Sequence, residues 1–375
     1  ERAVRDKIPD EIDEDEDFFR PSFESRLVPV VVLLGLCVIN ARGYSKVLFS
    51  PGCTIGDDLS SHFAEASTFA SRLRKGDLDF WFSETQMGYP LFMTYTPLPI
   101  MLIAPFLALA PDLDAELFVF KWYLLLIWLI TPFAWYLGSR FMGLTILQAS
   151  MAALLWNLVA DAQSFGVGVN ALLGKGLLAH SVACIFLPLW VGACFKRIAQ
   201  LSQQRIAADA PWWKTVIPQW SQALRLDALC ALLFTLILMS NSFTAVFSLL
   251  SGCGMLALDL DRPRAFVRGA VWLVGVVVIA VVCNSFWMIR FLAHIKFQGG
   301  LPFKHWPNFQ GNTVKHNLNV LMGGNLFDMW NFPLLTLCFV ASFFGSGSSN
   351  ASAPPPLPQA KSAALPPPTS APTHK

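Results

Sequence analysis

At 375 residues, with 54% hydrophobic and 14% charged side chains, 31 Phe and 13 Trp, the chain carries more apolar surface than a soluble fold of this length can hide. An ordinary water-soluble enzyme is excluded, because the apolar residues gather in runs near the roughly 20 residues that span a hydrocarbon core. The formal net charge of +2 hides a segregation: positions 10–17 are acidic except at Ile12, while Lys and Arg gather in a few loops, a layout without a nucleic-acid footprint.

Residues 1–26 hold too few apolar groups to offset the cost of ordering the backbone, and read as a disordered acidic tail. A transmembrane domain follows over 27–344. Its first segment is 27–39, short unless it continues through 44–49. After a first loop (50–96) come apolar runs at 97–110, 117–137, 141–160 and 172–195, then at 226–258, 265–289 and 332–344. The run 226–258 is too long for one span and is interrupted by Ser240, Asn241 and Ser242, so it reads as two short helices with a polar bend. The expected fold is all-α: a polytopic transmembrane helix bundle of about 8–10 membrane segments, a multi-pass integral membrane protein with membrane lipid as its first partner. Residues 345–375, rich in Gly, Ser, Ala and Pro, read as a disordered tail or linker. With Glu1 in place of Met, they lead to the expectation of a piece of a longer protein.

Between the two sets of spans, 196–225 carries five basic residues against one acid, Asp209. Trp213, Val216, Ile217, Trp220 and Leu224 repeat there at helical spacing, as in an interfacial or simply a connecting helix. This region and Arg262, Arg264 and Arg268 are cytoplasmic by the positive-inside rule. Counting four segments back from 196 puts the first loop on the same side. An exoplasmic loop requires one segment not to cross, and 97–110, short and holding Pro97, Pro99 and Pro105, is the best candidate.

The first loop is the long polar interruption. From 58 to 75 it predicts an amphipathic helix, with Leu59, Phe63, Ala66, Ala70 and Leu73 on one stripe at spacings of four and three, lying flat on the membrane surface. Asp57 and Asp58 open it, Arg72, Arg74 and Lys75 fill its last turn, and Gly76 follows, so caps and macrodipole agree. Asp58, His62 and Glu65 share a polar edge. A carboxylate near an imidazole can deprotonate a hydroxyl or hold a divalent metal, but an aspartate here also serves as an N-cap alone, and His62 as a solvated interfacial residue. Seven of the eight cysteines lie in or beside apolar runs, leaving Cys53 in the loop, and the histidines show no ligand spacing. Neither a disulfide framework nor a structural metal site is indicated.

Beyond the helix, the loop reads Gly76-Asp77-Leu78-Asp79-Phe80-Trp81, then Gly88-Tyr89-Pro90-Leu91-Phe92, then Tyr95-Thr96-Pro97-Leu98-Pro99. This run resembles the first loop of membrane proteins in the type C glycosyltransferase superfamily, nearest to the branch named for a 6-pyruvoyl-tetrahydropterin synthase-related domain. Stretches 239–245, 285–289 and 324–328 are similar in kind, so the resemblance covers about 27–344. At the bend, the family's His-Pro pair is replaced by Asn241-Ser242.

The resemblance implies transfer of a sugar from a polyprenyl-phosphate carrier to an acceptor at the exoplasmic face. An acid of the first loop acts as base or metal ligand, a position matched by Asp57 or Asp58. It implies His62, Glu65 and Tyr89 as substrate-binding residues beside that acid. Lys175, His180, Arg290, Lys304 and His305 are candidates for the phosphate partner, each also readable as a snorkelling interfacial residue. The cofactor is undetermined, a divalent metal being compatible, and nothing supports pterin chemistry. Two other readings stand beside this one: a non-catalytic membrane subunit that uses its tails to bind partners, and a flippase for a lipid-linked glycan, which needs charged residues inside spans that here look almost free of them.

Overall fold

The computed structural model describes residues 23–52, 56, 58–78, 81–82, 89–92, 96–158, 169–203 and 224–294, all within the unit Glu1–Pro302. The segment expected at 332–344, the stretch 204–223, residues 1–22 and the C-terminal tail 345–375 fall outside them, and residues 23–26, expected in the acidic tail, open the first helix instead. The described elements are α1 Phe23–Leu48, α2 Leu59–Arg74, α3 Leu98–Ala108, α4 Leu113–Phe141, α5 Ile146–Leu158, α6 Val169–Leu173, α7 Leu178–Gln203, α8 Leu224–Ser240, α9 Ser242–Ala257 and α10 Pro263–His294. A two-residue antiparallel ladder pairs β1 Trp81–Phe82 with β2 Tyr89–Pro90. The fold is all-α, as the apolar runs require.

Among the described residues, four helices are long and apolar enough to cross a membrane: Leu27–Leu48, Leu113–Phe141, Leu178–Gln203 and Pro263–Ala293. The first segment therefore runs well past 39. The expected break inside 226–258 falls at Asn241, whose extended backbone separates α8 from α9 and whose side chain accepts the Thr244 amide. Start signals are equally local at α4, where Asp112 accepts the Ala115 amide and Asp114 and Glu116 complement the helix dipole.

Contacts fix the direction of every long element. Asn40 donates to Asn157 at 2.7 Å, and Leu33 and Leu36 pack on Ala153, so α1 and α5 run parallel. The Tyr44 hydroxyl donates to the Lys121 carbonyl while Leu33 and Leu36 lie near Trp135 and Tyr136, so α1 and α4 are antiparallel. Ile127 and Trp128 line one small cavity with His180, Ser181 and Cys184, and lower down Gly138 meets Pro188 and Gly192, making α4 and α7 parallel. Arg197 pairs with Asp227, and Trp190 packs on Phe234, reversing α8. His180 meets Thr244 and Trp190 lies against Gly252, reversing α9 again. Trp272 bonds Asp227 and Asn284 bonds the Thr235 carbonyl, so α10 rises beside α8.

Helices α1, α4, α5, α7, α8, α9 and α10 thus alternate, with α6 completing the rise of α5. The α2–α3 hairpin stays at the upper end, packed beside the first turns of α4, where Phe63 meets Phe120 and the Tyr123 hydroxyl donates to the Pro99 carbonyl. Helix α3 spans 11 residues, about 16 Å at 1.5 Å per residue, and packs on α2 instead of traversing the bundle. The run 97–110, named above as the best candidate not to cross, forms this short helix and is not among the four long apolar ones. Pro97 and Pro99 mark its start and Pro105 lies within it, and its buried face, Ile100, Ile103, Ala104 and Leu107, belongs to the α2 cluster.

Two large apolar clusters, with a small third one between α1 and α5, carry the packing of the described residues. The upper one gathers α2, α3, the upper part of α4 and the start of α7; the lower one gathers α7, α8, α9 and α10 around Trp190, Phe234 and Trp272. Between them α4 and α7 cross backbone to backbone at Gly138 and Gly192, where an added Cβ would overlap the opposite chain. Small residues permit this close approach, which dispersion between helices then rewards.

Candidate functional site

Helix α2 forms within one residue of its expected bounds, and Lys75 and Gly76 close it as anticipated, the Asp77 amide returning to the Arg72 carbonyl. Gly76 takes φ 69°, the left-handed conformation that a C-terminal glycine supplies. The N-terminus differs from expectation. Asp58 stands at the N-cap position in a helical conformation, makes no side-chain capping bond and is exposed. Its carboxylate is therefore not consumed as a cap.

The buried face of α2 also differs. Leu59, Ala66 and Ala70 are inside as predicted, but His62 and Phe69 join them, while Phe63 and Leu73 are half-buried. The helix lies between α3 and the 91–92 turn on one side and α4 on the other. Phe69 meets Phe92 edge-on at 5.4 Å, and Phe63 meets Phe120 at the same distance. A helix flanked by protein on two sides is not lying bare on a membrane surface, and its apolar face widens accordingly. The expected polar edge consequently splits: Asp58 is exposed, His62 is 8% exposed, and Glu65 lies half-buried with its carboxylate 3.8 Å from His62 Nδ1.

What sequence spacing did not reveal is the partner of Asp58. The turn between α6 and α7 folds against the start of α2: a Cβ on Gly176 would sit 2.7 Å from the amide nitrogens of both Asp58 and Leu59. Gly176 takes φ 77°, so glycine is required there twice over. Gly56 approaches the Leu173 carbonyl from the other side, where a Cβ would lie 2.6 Å from that oxygen. Lys175, one residue before Gly176, is thereby carried to the same turn as Asp58.

One turn into α7, His180 links this turn to the α8–α9 bend. Thr244 Oγ1 donates to Asn241 Oδ1 at 3.1 Å and so receives His180 Nδ1–H at 2.9 Å, which leaves Nε2 facing the Cys184 thiol at 3.5 Å. His180 thus has both ring nitrogens engaged inside the bundle. It also lines a small cavity with Trp128, Trp156, Leu172, Ser181 and Cys184. The far end of the first loop returns to the same place, since the Thr96 hydroxyl donates to the Ser240 carbonyl at 2.5 Å. In the Gly-Tyr-Pro-x-Phe run, Phe92 is a non-glycine residue at φ 64°, 6% exposed and packed edge-on against Phe69 of α2. Burial of the ring offsets the backbone cost of that conformation.

Other candidates separate. Arg290 is exposed near the upper end of α10, and Tyr89 contributes its backbone to the β-ladder. Asp57, Lys304 and His305 lie outside the described residues. Among the described residues, no group of three or more His, Cys, Asp or Glu side chains converges on a metal-binding geometry.

Two buried charged residues of α4, Glu116 and Lys121, are absent from the residues singled out by sequence. Glu116 accepts from Ser67 and pairs with Arg74 at 2.6 Å, and Arg74 also donates to the carbonyls of Leu107, Ala108 and Ala110, tying α2, the end of α3 and α4 together. Lys121, 3% exposed, donates to the Ser50 carbonyl at 2.5 Å. A lone lysine inside the apolar run 117–137 was the available signal, because an intramembrane charge is rarely without a task. Comparisons with protein-family models, curated proteins and solved structures find no match for this chain.

Proposed function

We propose that this chain is a multi-pass integral membrane protein that transfers a sugar from a polyprenyl-phosphate carrier, as type C glycosyltransferases do, with the reaction centred on Asp58. The single observation that supports the reading is convergence: Asp58, the Lys175–Gly176 turn, the α8–α9 bend and the end of the first loop meet at the upper end of the bundle, though they lie far apart in sequence. In this reading Asp58 takes the proton of the acceptor hydroxyl as its oxygen attacks the anomeric carbon. The carbon–oxygen bond to the lipid phosphate breaks with its electrons leaving on the phosphate, and Lys175 meets that charge.

Orientation agrees with this reading. The first loop and the basic cluster Lys196, Arg197, Arg262 and Arg264 stand at opposite ends of α7, whose 26 residues extend about 39 Å. With the basic end cytoplasmic by the positive-inside rule, the loop is exoplasmic. The conflict from counting segments disappears once α3 does not cross. Helices α8 and α9, at 17 and 16 residues, are then short spans of about 26 and 24 Å.

The test is Asp58→Asn in membranes supplied with labelled polyprenyl-phosphate sugar. We expect transfer to fall by about 100-fold or more, the range for loss of a general base, with the protein still inserted and monodisperse. Undiminished transfer removes Asp58 from the chemistry, and no transfer by the unaltered chain removes the activity itself.

A further inference from the structure

The lower end of the bundle, remote from Asp58, holds a second cavity. A cleft of about 230 Å³ opens between the last turns of α7 and α9. Phe195, Ile198, Ala199 and Leu258 wall it, and Ser202, Asp259 and Arg262 stand at its mouth. The mouth is held in shape. The Ser202 hydroxyl donates to Asp259 Oδ1 at 2.8 Å, Arg262 Nη1 reaches Ser202 Oγ at 3.3 Å, and the Arg262 amide returns to the Asp259 carbonyl at 2.8 Å.

Its charges are near one another without closing on one another. Arg262 Nη1 lies 4.0 Å from Asp259 and Arg262 Nε 3.8 Å from Asp261, beyond hydrogen-bonding distance in both cases. The Asp259 side chain is 13% exposed within the mouth, and Arg262 is 62% exposed beside it. Next to the cleft, Leu258 and Leu260 present bare apolar surface, as residues at the edge of a hydrocarbon layer do.

An apolar cleft with one anion and one cation at its mouth matches an amphiphile that carries both charges. We infer that the α7–α9 cleft binds a phospholipid with a phosphoethanolamine headgroup, phosphate on Arg262 and ammonium on Asp259. Asp259 and Asp261 are the carboxylates nearest Arg262 and disfavour an anionic headgroup at the mouth itself, while Lys196, Arg264 and Arg268 stand farther back at the same end of the bundle. A primary ammonium offers N–H donors to Asp259, whereas the trimethylated group of choline offers none. The inference rests on the bilayer reading of the fold and is independent of the transferase chemistry.

The full chain, reconstituted in nanodiscs holding equal amounts of phosphatidylethanolamine, phosphatidylcholine and phosphatidylglycerol, is released into detergent and its retained lipid identified by native mass spectrometry. We expect ethanolamine lipid to be retained about fivefold over choline lipid, the equivalent of one net hydrogen bond. Asp259→Asn, which keeps an acceptor for Ser202, brings the ratio close to one. Ala199→Trp fills the cleft without altering its charges and removes retained lipid of every class. Equal retention of the ethanolamine and choline lipids by the unaltered chain, dominance of the glycerol lipid, or full retention by Ala199→Trp overturns the inference. A chain that does not enter nanodiscs overturns the bilayer reading and this inference with it, whatever becomes of Asp58.

Discussion

Arg197 and Asp227 show how a single contact directs a region of the fold. Both are nearly inaccessible, at 1% and 2% side-chain exposure, and Asp227 receives Arg197 through two bonds of 2.6 and 3.1 Å and the Trp272 indole at 2.7 Å. Removing one partner strands the other charge, so Asp227→Ala should cost about 3–5 kcal/mol, read as a lowered melting temperature in detergent. The double change Arg197→Met with Asp227→Leu should recover most of that loss. If the double variant is no better than the single one, hydrogen-bond geometry rather than charge burial governs the node. Glu116 presents the milder case, because its partner Arg74 is 36% exposed and solvent screens it. Glu116→Gln should leave the bundle folded but speed tryptic cleavage after Arg72, Arg74 and Lys75, a change that time-resolved proteolysis detects. None of these pairings was legible in the sequence. Arg197 was counted among loop charges, and the spans were taken as almost free of ionisable groups, because a charge's partner lies on another helix and spacing along one helix says nothing of it.

At the scale of elements, the α4–α7 crossing is the contact most sensitive to size. Gly192→Leu forces apart two backbones that touch, and should lower the melting temperature sharply, since overpacking of a closed contact costs about 1–3 kcal/mol or more. Gly254→Ala is the control: open space surrounds that position, and alanine should stabilise α9 by about 0.5–1 kcal/mol. Equal effects would mean that the crossing is plastic. Helix α2 shows what local pattern can and cannot convey. Its ends follow from charge, apolar spacing and Gly76, and were read within a residue. Which face turns inward was read only in part, because His62 and Phe69 are drawn in by α3 and Phe92, whose positions depend on the whole loop.

For the molecule as a whole, the alternation of helices makes a direct prediction. In a cysteine-free background, Lys75→Cys and Asp261→Cys, both at exposed positions, should react with a membrane-impermeant maleimide from opposite sides of sealed vesicles. Labelling from one side alone would mean that α3 crosses after all and that the first loop shares the basic side. The sequence by itself determined the apolar runs, the break at Asn241, the amphipathic α2 and the all-α class, since these depend on composition and on periodicity within a few turns. Against the 8–10 membrane segments expected, four of the described helices are long and apolar enough to cross. Tertiary structure alone decided that α3 stays with α2, that Asp58 meets the turn at Gly176, that His180 is held by Thr244, and that charges inside the spans find partners. Each of these pairs residues tens of positions apart, and the free energy that selects them arises only when their helices have already met.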